Sequence, residues 1–211
     1  MYTHDKKYIS TGSAVQQAKT ALVMLHGRGG TAEDIIRLAR LFNLPDAAIY
    51  APQATNNSWY PYSFMVPEVQ NQPAVDSALE SIDGLVSQIE AEGIAADKIY
   101  FLGFSQGACL VLEYVGRNGK RYGGAVAYTG GLIGQELITE RYKGDFNGTP
   151  VLITTGDHDP HVPLSRVEET VDVLKGLGAD VTLKVYPGKP HSISNEEIEL
   201  AKDVVFIKHI S

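Results

Sequence analysis

The sequence of 211 residues contains a single cysteine, Cys109. That excludes an internal disulfide and a cysteine-rich zinc site, and leaves Cys109 to be read as a small buried hydrophobe. Basic residues are in deficit: 18 Lys+Arg stand against 25 Asp+Glu, for a net charge of −7. Without a basic field, nucleic acid and anionic lipid are excluded as principal partners. Long hydrophobic runs are missing as well. Stretches such as Ala21 to Leu25 are strand-sized, so no membrane span is expected. Met1 to Gly12 carries Asp5, Lys6 and Lys7 and no apolar core, so neither a secretory signal nor a transit peptide is expected, and a cytoplasmic setting is. No internal repeat, low-complexity tract or linker-like composition shift divides the chain.

What is present suits a folded enzyme-sized domain. The 44% hydrophobic share against 20% charged excludes disorder, and the length predicts one domain over residues 1–211. Short apolar runs recur at 21–25, 47–50, 99–102, 125–128, 151–154 and 181–186, reading mostly as strands buried on both faces. Helix-period segments separate them. Thr31 to Phe42 places Ile35, Leu38, Ala39 and Phe42 on one stripe, with Thr31 as cap. Ala74 to Glu92, Arg166 to Leu177 and Asn195 to His209 follow, and Ser194 with Glu197 forms a capping-box signature. The alternation predicts a three-layer α/β architecture, with ligands beyond the C-terminal ends of the strands. Two long excursions, Pro52 to Pro73 with its aromatics and Gly130 to Pro150, are candidate pocket walls.

The sharpest local signal is Gly103-Phe104-Ser105-Gln106-Gly107, which leaves the strand at 99–102 and enters the helical run Ala108 to Val115. This is the context of a nucleophile elbow, where flanking glycines let the chain reverse and leave the serine hydroxyl exposed. Serine needs a base, and the base an orienting carboxylate. Of His4, His26, His158, His161, His191 and His209, the order Ser, acid, His excludes the first two. His209 falls late in a helix, whereas His191 sits in a loop after a strand, the best position for a base. The acid lies in Gly156-Asp157-His158-Asp159-Pro160-His161, and spacing leaves Asp157 and Asp159 both open. The same cluster offers a metal-ligand alternative, a metallohydrolase using Asp157, His158, Asp159 and His161. His26-Gly27-Arg28-Gly29-Gly30 follows the strand at 21–25 and reads as the loop that supplies oxyanion donors. It lacks both the Gly-Lys-Ser/Thr ending and the Gly-x-Gly-x-x-Gly spacing of phosphate loops.

Four motifs, His26-Gly27-Arg28-Gly29, Gly103-Phe104-Ser105-Gln106-Gly107, Asp159-Pro160-His161-Val162-Pro163 and His191-Ser192-Ile193-Ser194, together resemble the phospholipase/carboxylesterase family. That group of α/β-hydrolases includes the acyl-protein thioesterases. The resemblance implies an α/β-hydrolase fold with a mostly parallel sheet, helices on both faces and no separate cap domain. It also implies Ser105 as nucleophile, Asp159 as acid, His191 as base, and the amides of Arg28 and Gln106 as oxyanion donors, with no cofactor and no metal. The chain departs from the thioesterase branch at Arg28-Gly29-Gly30, where that branch has Leu-Gly-Asp, and at Trp59-Tyr60, where it has Asp after Trp. The departures favour a bacterial-type carboxylesterase of small to medium esters, with thioesters and lysophospholipids as alternative substrates. The expected site is an open cleft walled by Trp59, Tyr60 and Phe64 and by Leu132 and Ile133. A non-catalytic binding module on the same fold is the remaining alternative, and the choice between monomer and homodimer stays open.

Overall fold

The computed structural model describes residues 2–206. Seven strands form one sheet: β1 Tyr8–Gly12, β2 Thr20–Leu25, β3 Ala47–Pro52, β4 Ile99–Phe104, β5 Gly124–Tyr128, β6 Pro150–Gly156 and β7 Asp180–Tyr186. Their spatial order is β1-β3-β2-β4-β5-β6-β7, with β1 antiparallel to β3 and every other pair parallel. Among the described residues the five α-helices are α1 Ala32–Ile36, α2 Ala74–Ala91, α3 Gln106–Arg117, α4 Leu164–Gly176 and α5 Asn195–Ala201.

Strands β2, β3, β5 and β6 are buried at every residue, because helices cover both faces of the sheet. Side chains alternate between two cores. Ala21, Val23 and Leu25 belong to the core shared with α2, α3 and α4, while Leu22 and Met24 belong to the core shared with α1 and α5. Among the described residues no cap domain is inserted over the sheet, and no helix is long and apolar enough to cross a membrane.

The differences from expectation are local. Strand β1 is exposed at four of its five positions and only half-buried at Ile9, so it carries no burial pattern to detect. The stripe from Thr31 is helical only to Ile36; Arg37–Leu41 tightens into a 3₁₀ turn that brings Phe42 against Phe206, ring centroids 5.0 Å apart. Thr31 does cap, in a box with Asp34. Helix α5 ends at Ala201 and passes into a π turn, Lys202–Phe206; His209 lies outside the described residues.

Candidate active site

The elbow is built by backbone crowding. Ser105 adopts φ 53° and ψ −117°, a conformation that costs an L-residue strain, and its amide donates to the Tyr128 carbonyl at 2.9 Å. A Cβ on Gly103 would sit 2.3 Å from the Gly107 carbonyl oxygen, and one on Gly107 would sit 2.2 Å from that of Leu25. Only glycine fits either position. Helix α3 starts at the next residue, Gln106, so the first amides of the helix are free of intrahelical partners beside the hydroxyl.

His191 lies in the loop between β7 and α5. Its Nε2 is 2.8 Å from Ser105 Oγ and its Nδ1 is 2.7 Å from Asp159 Oδ2. Two rings hold the imidazole: Phe104, with centroids 5.3 Å apart, and His161 at 4.9 Å, edge-on. The loop is fixed on either side of His191. Ser194 caps α5 in a box with Glu197, and the buried Lys189 ammonium pairs with the buried Glu197 carboxylate at 3.2 Å. Glu197 also accepts a short hydrogen bond from Thr154 at the end of β6. Sequence reasoning found the cap but not the ion pair, since nothing in the spacing of Lys189 distinguishes it from a solvated lysine.

Asp159 follows β6. Burial raises its carboxyl, but donation from His191 and from the amides of His161 and Val162 outweighs burial and holds the group below the ordinary aspartate range. Asp157 turns elsewhere: its Oδ1 accepts the Gly188 amide at 2.8 Å and faces His158 Nδ1 at 3.0 Å. The pair that spacing left open therefore separates in space. The cluster from Asp157 to His161 does not converge either. Among the described residues, no group of three or more His, Cys, Asp or Glu side chains is placed to hold a metal ion.

The loop after β2 brings Arg28 beside the elbow. Among the described residues, the amides of Arg28 and Gln106 have no acceptor, whereas Gly29 and Gly30 donate to Asn57 and Gly27. His26, at the base of this loop, donates from Nδ1 to Gly27 O at 2.8 Å and accepts the Ala54 amide on Nε2 at 3.2 Å. Both nitrogens are satisfied in the neutral ring, and burial holds the imidazole below its ordinary value.

A cavity of about 720 Å³ opens over Ser105 and His191. Its walls are Tyr60 to Phe64 on one side and Pro160 to Val162 on the other, with Cys109 at the floor one helical turn beyond Ser105. Burial pushes the Cys109 thiol up to about 11, so it stays protonated at neutral pH and acts as a wall. Its position four residues after Ser105, which caps the same helix, is the sequence signal that places it there. Tyr60 and Phe64 line the cavity. Three expected wall residues do not. Trp59 is fully buried behind the loop, its indole N–H donating to His26 O at 2.8 Å and its ring packed on His26 and His4. Leu132 and Ile133 are drawn into the core, their amides held by Thr170 Oγ1 and Glu113 Oε2 at 2.9 Å each, while buried Arg166 binds the carbonyls of Leu132, Gly134 and Gln135.

The phospholipase/carboxylesterase family matches residues 6–210. The chain belongs to that family. A solved phospholipase/carboxylesterase from Dyadobacter fermentans is 61% identical and superposes with a TM-score of 0.96, covering 97% of this chain and 98% of that one. The α/β-hydrolase fold expected from the motifs therefore holds. A probable SOBER1-like carboxylesterase of Arabidopsis thaliana is 28% identical over 92% of this chain and 82% of its own. Acyl-protein thioesterase 1 of Candida albicans is 30% identical over 92% of this chain and 93% of its own. This phospholipase/carboxylesterase family member is an enzyme, a serine hydrolase of carboxylic esters.

Proposed function

We propose that Ser105 is the nucleophile, His191 the general base and Asp159 the residue that orients it, with the amides of Arg28 and Gln106 receiving the oxyanion. The observation that carries the proposal is the chain of contacts from Ser105 Oγ to His191 Nε2 at 2.8 Å and from His191 Nδ1 to Asp159 at 2.7 Å. Ser105 Oγ attacks the ester carbonyl as its proton passes to His191 Nε2, and negative charge gathers on the former carbonyl oxygen. Collapse breaks the bond to the alcohol, which leaves with the proton from His191. Water then attacks the acyl-serine, gives its proton to His191, and the acid departs as that proton returns to Ser105.

The substrate is a small to medium carboxylic ester. Burial against Tyr60, Phe64, Val162 and Cys109 supplies binding at roughly 25 cal/mol per Å² and separates neighbouring chain lengths by only about 1 to 3 kcal/mol. One domain over residues 1–211 carries this chemistry in the cytoplasm, without a cofactor or a nucleic-acid partner. Labelling with a fluorophosphonate followed by peptide mapping tests the mechanism: modification at Ser105 is expected, and its absence overturns it. Ser105→Ala is expected to lower kcat by roughly a million-fold. A chelator that abolished activity would point instead to a metal-dependent hydrolase.

A further inference from the structure

Arg28 and Gln106, whose amides have no acceptor among the described residues, share a second feature: their side chains grip the same short piece of chain. Gln106, only 5% exposed, accepts the Trp59 amide on Oε1 and donates from Nε2 to the Tyr60 carbonyl, both at 2.8 Å. Arg28 donates from Nη1 to Ser58 Oγ at 3.1 Å and to the Pro61 carbonyl at 2.8 Å, and from Nη2 to the Tyr62 carbonyl at 2.5 Å. Ser58 Oγ in turn donates to the Tyr60 carbonyl at 2.9 Å, closing the segment on itself. The backbone next to Arg28 joins in, with the Gly29 amide donating to Asn57 O at 2.7 Å. Segment 58–62 belongs to no strand or helix, so these side chains satisfy backbone groups that secondary structure leaves open.

The two grips differ in rigidity. Gln106 stands on the first turn of α3, behind a glycine-walled elbow. Arg28 is exposed on a glycine-rich loop, between buried Gly27 and exposed Gly29. Among the described residues one backbone bond within that loop, Gly30 N–H to Gly27 O at 3.1 Å, spans Arg28, whereas Gln106 opens a twelve-residue helix. We propose that segment 58–62 is a spacer between the two oxyanion donors, and that the Gln106 and Arg28 side chains are positioning residues acting through it. The elbow fixes Gln106, Gln106 fixes the segment, and the segment fixes Arg28. This inference rests on the reading of the two amides as oxyanion donors. It adds that their separation is set by side chains and by a loop that otherwise only walls the cavity. Donors placed in advance are what make an oxyanion site effective, and a displacement of about 1 Å can cost on the order of a hundred-fold in rate.

The test compares Gln106→Met, Arg28→Met and the double variant in the full chain. kcat and KM are measured for a nitrophenyl ester, together with the inhibition constant of a trifluoromethyl ketone. The ketone forms a tetrahedral adduct whose oxygen needs both donors, whereas ground-state binding does not. Each single variant is expected to lower kcat about ten- to hundred-fold and to weaken the ketone by a similar factor, with KM changed less than about threefold. The double variant is expected to be little worse than the worse single one, because both cut the same chain of contacts. Arg28→Lys, which keeps one charged donor, is expected to recover part of the loss. Ser58→Ala, a smaller change on the same spacer, is expected to shift kcat and ketone binding in the same direction, and it keeps the test open if a Met variant fails to fold. A raised KM with unchanged kcat and ketone affinity would make the segment a cavity wall only and overturn the inference. So would fully multiplicative losses in the double variant. Failure of the wild-type chain to take fluorophosphonate at Ser105 would overturn the mechanism itself, and this inference with it.

Discussion

Asp159 serves His191 with one carboxylate oxygen and its own loop with the other: Oδ2 faces Nδ1 of the imidazole at 2.7 Å, and Oδ1 accepts the amides of His161 at 2.9 Å and Val162 at 3.0 Å. An asparagine cannot do both. With its oxygen toward His191, its NH₂ meets two N–H donors; turned the other way, the NH₂ meets Nδ1 and forces the unproductive tautomer. Asp159→Asn is therefore expected to lower kcat roughly ten-thousand-fold. Asp157→Asn, which touches only Gly188 and His158, is expected to stay within a few-fold of wild type. Steady-state kinetics on both variants checks the pair, and the reverse ranking would assign the acid to Asp157.

Strain at Ser105 gives a prediction about stability. A residue at φ 53°, ψ −117° stores roughly 1 to 3 kcal/mol, which glycine does not incur and alanine does. Ser105→Gly is expected to be inactive and to unfold at higher urea than Ser105→Ala, although glycine gives back about 0.4 to 1 kcal/mol through the unfolded chain. Equal midpoints would mean that the elbow carries no strain.

Two buried histidines set an acid limit. His4 donates from Nε2 to Trp59 O at 2.9 Å and accepts the Thr55 amide on Nδ1 at 3.1 Å, and His26 is paired at both nitrogens in the same way. Burial holds both below their ordinary value. The unfolded chain binds a proton at each near pH 6.5, and the folded chain resists it. The stability they contribute is thus present above about pH 6.5 and is lost as pH falls through the lower folded values. Urea midpoints are expected to fall between pH 7.5 and 5.5, and to fall less steeply in His4→Gln, whose amide can supply one donor and one acceptor without titrating. Parallel slopes would remove His4 from this account.

Trp59 and Phe64 are neighbours in sequence with opposite duties. Trp59→Ala empties a core position and is expected to cost about 3 to 5 kcal/mol of stability while leaving relative rates along an acyl-chain series nearly unchanged. Phe64→Ala enlarges the cavity and is expected to move that series toward longer chains. Calorimetry and the ester series on both variants distinguish the two roles, and a changed series in Trp59→Ala alone would return Trp59 to the site.

The parts legible in the sequence were those with local causes. Strands covered on both faces carry near-continuous apolar runs, so 21–25 within Thr20–Leu25 and 151–154 within Pro150–Gly156 announced themselves, while the exposed edge strand Tyr8–Gly12 had no reason to. Gly103 and Gly107 were legible because the turn they flank tolerates no Cβ. For Leu132, Ile133 and Trp59 the sequence does not separate cavity wall from core, because an apolar side chain looks the same whether it faces a ligand or the core; all three are buried. Hydrogen bonds from Thr170, Glu113 and His26, far away in sequence, decide which way each one turns.

The sequence by itself determined the elbow, the loop that follows β2, the supply of one serine with candidate acids and bases behind it, and the alternation that makes a parallel sheet. Turn sterics and burial period act over a few residues and can be read in order. Only the tertiary structure decided which of those residues meet. Ser105 and His191 are 86 positions apart, and they touch because β4 and β7 run parallel and their C-terminal ends point the same way. Asp159, at the end of β6, reaches the imidazole because its loop amides turn the carboxylate inward, while Asp157, two residues earlier, is turned to Gly188. Side-chain direction in a loop depends on the hydrogen bonds its backbone makes, and those partners come from elements that chain order does not place side by side.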